Sequence, residues 1–94
     1  MRIVWSRRAI SNLIQLRQFI ARDRPDAAAG VAAKILSSIE HLSRQPNAGR
    51  SGRIAGTREL VVAGTSYLVP YRIRGGRLEI IALFHGRRKW PDRL

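Results

Sequence analysis

The chain has 94 residues, with 18 lysines and arginines against 6 acidic residues, a formal net charge of +12 and no cysteine. Its hydrophobic content of 45% is enough for one core, so we expect a single domain over residues 1–94. The lack of cysteine excludes disulfide frameworks, thiolate metal sites and thiol nucleophiles. No segment approaches the roughly 20 apolar residues of a membrane span, and the N-terminus lacks the apolar stretch of a signal peptide. We therefore expect a cytoplasmic protein with no membrane partner.

The positive charge is concentrated in the second half of the chain. From residue 44 onward 11 basic residues stand against 3 acidic ones, whereas the first 43 residues have 7 against 3. Only Lys34 and Lys89 are lysines; the other basic residues are arginines, which form bidentate contacts with carboxylates and phosphates. This composition predicts a polyanion or an acidic protein as partner. A basic surface that is merely solvated is the alternative.

A short strand and two helices are predicted for the first half. Residues Arg2–Trp5 alternate as in a strand, and Ser6 is placed to cap a helix that ends near Asp23. Pro25 suits the first turn of a second helix. Apolar residues at three- and four-residue steps predict a core-facing stripe on each helix. The stripes comprise Ile10, Leu13, Ile14, Leu16, Phe19 and Ile20 in the first helix, and Ala28, Val31, Ala32, Ile35, Ile39 and Leu42 in the second.

Three more strands are predicted after a segment rich in turn formers at 45–52. They span roughly Arg58–Val62, Tyr67–Arg74 and Arg77–Phe84, and the glycine pair at 75–76 is a hairpin signal. Pro70 cannot donate a hydrogen bond within a sheet, so we expect a local irregularity there. The order β-α-α-β-β-β predicts an α+β fold, with a helical hairpin packed on one face of a mostly antiparallel sheet.

Alternation along these strands divides their residues between two faces of the sheet. The apolar residues predicted to face the helices are Leu60, Val62, Val69, Ile73, Ile80 and Ala82. The residues that alternate with these, and are therefore predicted on the other face, include Glu59, Arg72, Arg74, Glu79 and His85. A basic segment with a tryptophan follows at 87–93. Arginines beside an aromatic ring suit single-stranded RNA, and they suit an acidic protein equally well.

The remaining candidates for chemistry are histidines and aromatic residues. His85 could act as a general acid or base, although one histidine after an apolar strand is more often a packing residue. His41 is predicted to face solvent, and two distant histidines do not form a metal site. Trp5 is predicted to lie in the core, and the two tyrosines, four residues apart on one strand, are predicted as core or rim aromatics. Arg58 and Glu59 could simply form a cross-strand ion pair.

Several short motifs, in order along nearly the whole chain, resemble the RelE/ParE toxin superfamily of bacterial type II toxin-antitoxin systems. They are an opening strand that ends in Trp5, PDAAA at 25–29, PNAGRSG at 46–52, GTREL at 56–60 and HGRRKWP at 85–91. The resemblance implies the β-α-α-β-β-β fold and a cognate antitoxin as partner. It is closer to ParE-like members through the segments at 56–60 and 85–91.

The superfamily divides by target. RelE-like members cut messenger RNA in the ribosomal A site, which would imply Arg58, His85 and Arg87 as catalytic residues that activate and stabilise attack by the 2′-hydroxyl. ParE-like members poison DNA gyrase without cutting RNA, which would imply a target-binding surface. Neither activity implies a metal or an organic cofactor. The residues of that surface would be Arg58, Arg72, Arg74, Arg87, Arg88, Lys89 and Trp90.

The RelE-like catalytic set is incomplete in this sequence. The chain has only two lysines and no tyrosine after Tyr71, whereas the nucleases commonly use lysines or a C-terminal tyrosine. We therefore favour a ParE-like gyrase poison, with a ribosome-dependent mRNA endonuclease as the alternative. We also expect Arg58 and Arg87 to be exposed binding residues whose joint replacement abolishes toxicity with little loss of fold.

Overall fold

The computed structural model describes residues 1–86 of the chain. Over that range the elements are β1 (Arg2–Trp5), α1 (Arg7–Asp23), α2 (Pro25–Leu42), β2 (Arg50–Ser51), β3 (Arg58–Val61), β4 (Tyr67–Arg74), β5 (Arg77–Ile80) and β6 (Phe84–His85). The strand order is β1-β5-β4-β3-β2, and β6 pairs with the first part of β4. Only β1 and β5 are parallel within this range. The helices pack on one face of this mostly antiparallel sheet, which confirms the predicted α+β fold.

The bounds of both helices follow from the residues that flank them. The Ser6 hydroxyl accepts a hydrogen bond from the Ala9 amide at 2.9 Å and donates one to the Ile81 carbonyl at 2.6 Å. It therefore caps α1 and ties its start to the sheet. Arg24 has φ −145° and ψ 78°, outside the helical region, as expected before a proline. The chain can then begin α2 at Pro25, as predicted.

The hydrophobic core lies between the helices and the sheet. The stripe of α2 is as predicted, with Val31 partly buried and its other members buried. The stripe predicted for α1 was too wide. The apolar residues of α1 that pack in or against the core are Ala9, Leu13, Leu16 and Ile20. A single helix face accommodates residues at three- and four-residue steps and leaves those on its flanks exposed. The exposed flanking residues are Ile10, Ile14 and Phe19.

The irregularity predicted at Pro70 is a bulge in the neighbouring strand. Tyr71 lies opposite Ile80 and Leu68 lies opposite Phe84, so two residues of β4 face three residues, 81–83, of the other strand. The Pro70 carbonyl accepts a hydrogen bond from the Ile81 amide at 3.0 Å. The strand predicted as Arg77–Phe84 is thus split into β5 and β6. The extra residue reverses the alternation of side chains beyond it.

Two further features concern the turns of the sheet. Strand β2 lies inside the segment predicted only as turn, so the prediction missed its pairing with β3. Gly75 and Gly76 have positive φ values of 58° and 72° between the paired residues Arg74 and Arg77, which confirms the hairpin predicted from this glycine pair. Among residues 1–86, no helix has the length and apolar character needed to cross a membrane.

Candidate functional site: the open face of the sheet

The face of the sheet that points away from the helices, here called the open face, is rich in arginine. Directly opposed residues share a face, and the residues next to a core residue in a strand point the other way. Tyr71 and Leu78 are core residues, so their neighbours lie on the open face. The strand register aligns three arginines in one row, on β4, β5 and β1 in turn: Arg74, Arg77 and Arg2.

Glu79 organises the arginines of the next row. It lies opposite Arg72, whose Nε donates to Oε1 at 2.6 Å, and Nε of Arg74 lies 3.4 Å from the same oxygen. The hydrogen bond from Arg72 and the charges of Arg74 and Arg77 hold the pKa of Glu79 below its usual value. The carboxylate therefore stays ionised and fixes two guanidinium groups on the open face.

A second carboxylate performs the same role one row further along. Glu59 is only 3% exposed, and its Oε1 accepts from Nη2 of Arg50 at 3.2 Å. Its Oε2 accepts from the amide and from Nε of Arg53, at 2.9 and 3.3 Å. Burial raises the pKa of Glu59, but these hydrogen bonds and the two positive charges outweigh it and lower that pKa. The ion pair considered for residues 58 and 59 thus joins Glu59 to Arg50 across the strands, not to Arg58.

Together these residues form what we call the open-face arginine cluster, with six arginines against two glutamates. Arg72 and Arg74 were predicted on this face, whereas the other four members were not. These four come from β1, β2, the loop after it and β5, so only the strand pairing reveals that they are neighbours. The cluster comprises Arg2, Arg50, Arg53, Arg72, Arg74 and Arg77.

Arg58 lies on the other face of the sheet. It is directly opposite Tyr71, a fully buried core residue. Its Nη1 donates to the Gly49 carbonyl at 2.9 Å and to the Asn47 carbonyl at 3.2 Å. This arginine therefore holds the loop at 46–49 and is not next to Arg72 and Arg74, with which it was predicted to form one binding surface.

His85 also lies on the helix side, which corrects the face predicted for it. The bulge at 81–83 shifts the alternation by one residue, so that His85 is paired with Tyr67 and their rings meet edge to face at 5.5 Å between centroids. His85, Tyr67 and Phe19 line a groove of about 640 Å³ between α1 and β6. His41 is exposed, as predicted, and Trp5 is partly buried against the core.

The other predicted site residues lie outside the described residues: Arg87, Arg88, Lys89 and Trp90. Between the rows described above and β6, this face carries Val61, which is exposed, and Leu68, Pro70 and Phe84, which are buried, so only the arginine-bearing part is open to solvent. In residues 1–86, no group of three or more histidine and acidic side chains is placed to bind a metal ion. The chemistry offered by the described part of the open face is therefore anion binding by guanidinium groups.

Comparison with protein families and curated relatives gives consistent matches over most of the chain. Residues 3–90 match a family described as the ParE toxin of type II toxin-antitoxin systems, parDE. The chain is 43% identical over 91 residues to the putative toxin Y4kP of Sinorhizobium fredii, a match that covers 97% of this chain and 94% of that protein. It is 31% identical over 86 residues to toxin RelE2 of Caulobacter vibrioides, covering 92% and 96% of the two chains.

Two solved structures share the fold. A chain of the chromosomal ParDE toxin-antitoxin system from P. aeruginosa superposes with a TM-score of 0.83 at 22% identity, covering 90% of this chain and 95% of that one. A chain of the intact E. coli RelBE toxin-antitoxin complex superposes with a TM-score of 0.65 at 11% identity, covering 93% and 98%. Both similarities concern the fold, because the sequence identities are low.

Proposed function

Since this chain belongs to the ParE toxin family of type II toxin-antitoxin systems, within the RelE/ParE superfamily, we propose that it is a ParE-like growth inhibitor that poisons DNA gyrase. In this proposal a cognate antitoxin neutralises it by binding. The toxin acts by occupying a surface of its target, and no bond is made or broken by its own side chains.

The observation that carries the proposal is the separation of the two candidate catalytic residues on the described strands. Arg58 is opposite Tyr71 and His85 is opposite Tyr67, four residues away along β4. Four residues of strand correspond to about 13 Å between the two backbone positions, so both side chains would have to extend toward each other to act on one phosphate group. Arg58 is also engaged with two carbonyls of its own chain. This arrangement favours a binding inhibitor over a nuclease built from these two residues.

The alternative is a ribosome-dependent mRNA endonuclease. A relative at 31% identity carries the name toxin RelE2, and the guanidinium groups of the open-face arginine cluster could stabilise charge on RNA phosphates. In that mechanism Arg87, together with Arg58 and His85, would serve the attack of the 2′-hydroxyl on the next phosphate.

Induced expression of the chain in bacteria separates the two activities. A gyrase poison is expected to provoke a DNA damage response while transcripts stay intact and protein synthesis declines late. Rapid loss of protein synthesis with cleaved transcripts would exclude the gyrase assignment and support the alternative. If growth is unaffected at confirmed expression of soluble, folded chain, the toxin function itself is contradicted.

We also propose that the antitoxin is an acidic or amphipathic segment that folds along the helical hairpin and the sheet and covers part of the basic surface. The groove between α1 and β6 offers the apolar part of such a contact, because the ring of Phe19 is 67% exposed there. Replacing Phe19 with serine should weaken co-purification of the protein encoded by the neighbouring gene. The matched control is Leu36→Ser, which removes an exposed apolar side chain of α2 that does not line this groove. Equal loss in both variants would contradict a docking role of this groove.

A further inference from the structure

We propose that the open-face arginine cluster is a site for the phosphate backbone of double-stranded DNA. The inference adds to the proposed action on gyrase a direct nucleic-acid contact made by named residues of this chain. The choice of DNA over RNA rests on that proposed function, whereas the choice of a phosphate backbone rests on the geometry of the open face.

Arg74, Arg77 and Arg2 place three positive charges in one row across the sheet. Like charges directly opposite one another on a sheet repel and reduce its stability. The carboxylate of Glu79 lies in the neighbouring row, where it pairs with Arg72 and Arg74. All three arginines of the row are exposed. Glu79 compensates Arg74, whereas residues 1–86 supply no ion pair to Arg77 or Arg2, so the row keeps exposed positive charge that an external anion could neutralise.

Glu79 orients the guanidinium groups of Arg72 and Arg74. It contacts Arg72 and Arg74 through Nε, the nitrogen nearest the aliphatic stem. This leaves the two Nη atoms of each guanidinium, which form the outer edge of the fork, to bind another ligand. Such forks bind phosphate oxygens in a bidentate manner, and orientation in advance reduces the entropy lost on binding.

The spacing of the row fits a polymer of phosphates better than a single anion. Adjacent strands lie about 4.8 Å apart, so the three arginines span roughly 10 Å. One DNA strand presents a charge about every 3.4 Å along the axis, so such a line crosses about three nucleotides. Arg50 and Arg53 extend the positive surface beyond this row, beside Glu59.

Among residues 1–86, the open face offers arginines but no exposed aromatic ring, which favours backbone contacts over base stacking. Single-stranded nucleic acid is held mainly by base stacking on such rings. Within residues 1–86, Tyr67 and Tyr71 lie on the helix side, Trp5 packs against the core, and Phe84 is only 8% exposed. The arginines of this row therefore suit contacts with the sugar–phosphate backbone of a duplex, whose bases are already stacked, and the single-strand comparison in the test below decides whether Trp90, outside the described residues, adds stacking.

The test is the salt dependence of binding to a short fluorescent DNA duplex of mixed sequence, measured by anisotropy with the full chain. Each phosphate contact contributes about one unit to the slope of log affinity against log salt. The double variant Arg74→Gln/Arg77→Gln should therefore bind more weakly, with a slope reduced by about two. The control Arg17→Gln/Arg44→Gln removes the same charge from exposed positions in α1 and after α2, and should keep the slope within about half a unit of wild type.

Four outcomes would overturn the inference. They are an unchanged slope in the open-face variant, an equal reduction in the control, tighter binding of a single strand or an RNA duplex of the same length, and displacement of the DNA by polyglutamate at equal charge concentration. Urea denaturation should show that the open-face variant is folded, with a loss of stability no larger than that of one exposed ion pair, because Arg74→Gln also removes the contact with Glu79. The binding assay contains DNA but no gyrase. A negative result would therefore contradict the DNA site, while the proposed action on gyrase is tested separately by the expression experiment.

Discussion

Tyr71 and Arg58 are directly opposed across β3 and β4, and both side chains hold the same loop. The Tyr71 hydroxyl accepts from the Gly49 amide at 2.9 Å and donates to the Pro46 carbonyl at 2.7 Å. Arg58 donates to the carbonyl of Gly49 as well. The connection between α2 and the rest of the sheet is thus fixed from inside the core, and burial raises the pKa of Tyr71.

Replacing Tyr71 with phenylalanine should therefore destabilise the fold. It removes one donor and one acceptor and leaves a buried amide and a carbonyl without their partner, at a cost of about 1–3 kcal/mol. Urea denaturation measures this loss. The control Ser66→Ala removes an exposed hydroxyl and should change the free energy of unfolding by less than about 0.5 kcal/mol. A Tyr71→Phe variant as stable as the wild type would show that the loop is held by other contacts.

Arg58 should be sensitive to a substitution that preserves its charge. Arg58→Lys keeps the positive charge but cannot span the carbonyls of Asn47 and Gly49 with a planar guanidinium, so we expect a loss of roughly 1–2 kcal/mol. The sequence-based expectation was that replacing Arg58 and Arg87 together would cause little loss of fold. The two hydrogen bonds of Arg58 predict a loss of stability instead. Chemical denaturation of Arg58→Lys beside Arg17→Lys, a control at an exposed position of α1, measures the difference. If the two variants are equally stable, Arg58 does not hold the loop and contributes to the fold no more than an exposed arginine.

The sequence predicted the helices well because their signals are local. Ser6, Pro25 and the stripe of α2 determine where the helices begin and which face is buried, and each is visible within a few residues. The face of His85 was predicted wrongly, because the bulge at 81–83 depends on which residues of β4 lie opposite. Strand β2 and four members of the open-face arginine cluster were not predicted for the same reason, since strand register brings together residues that are distant in sequence.

Glu59 should make stability depend on acid pH. Its folded pKa is lowered from an ordinary value of 4.5, so its contribution is fully present above that value and is lost as the pH falls through the folded pKa. Glu59→Gln should therefore be less stable than the wild type at neutral pH, and the gap should close well below pH 4.5. Urea denaturation across this range tests it, with Glu40→Gln on the exposed side of α2 as control. A gap independent of pH would contradict the role assigned to the charged carboxylate.

Two core residues of the sheet should differ in their sensitivity to truncation. Ile80 is fully buried, whereas Leu60 is only partly buried at the edge of the core. Ile80→Ala should cost about 2–5 kcal/mol, and Leu60→Ala should cost less because part of its cavity is open to solvent. Thermal or urea unfolding measures both. Equal costs for the two substitutions would contradict the partial burial of Leu60.

The most direct measurement of the central claim uses purified components. The chain is added to DNA gyrase with supercoiled plasmid, and separately to a reconstituted translation system with a defined messenger RNA. We predict that linear plasmid accumulates after the gyrase is denatured, that addition of the antitoxin prevents it, and that the messenger RNA remains intact. Intact plasmid together with messenger RNA cut on the ribosome would contradict the account and assign the chain to the nuclease branch of its superfamily.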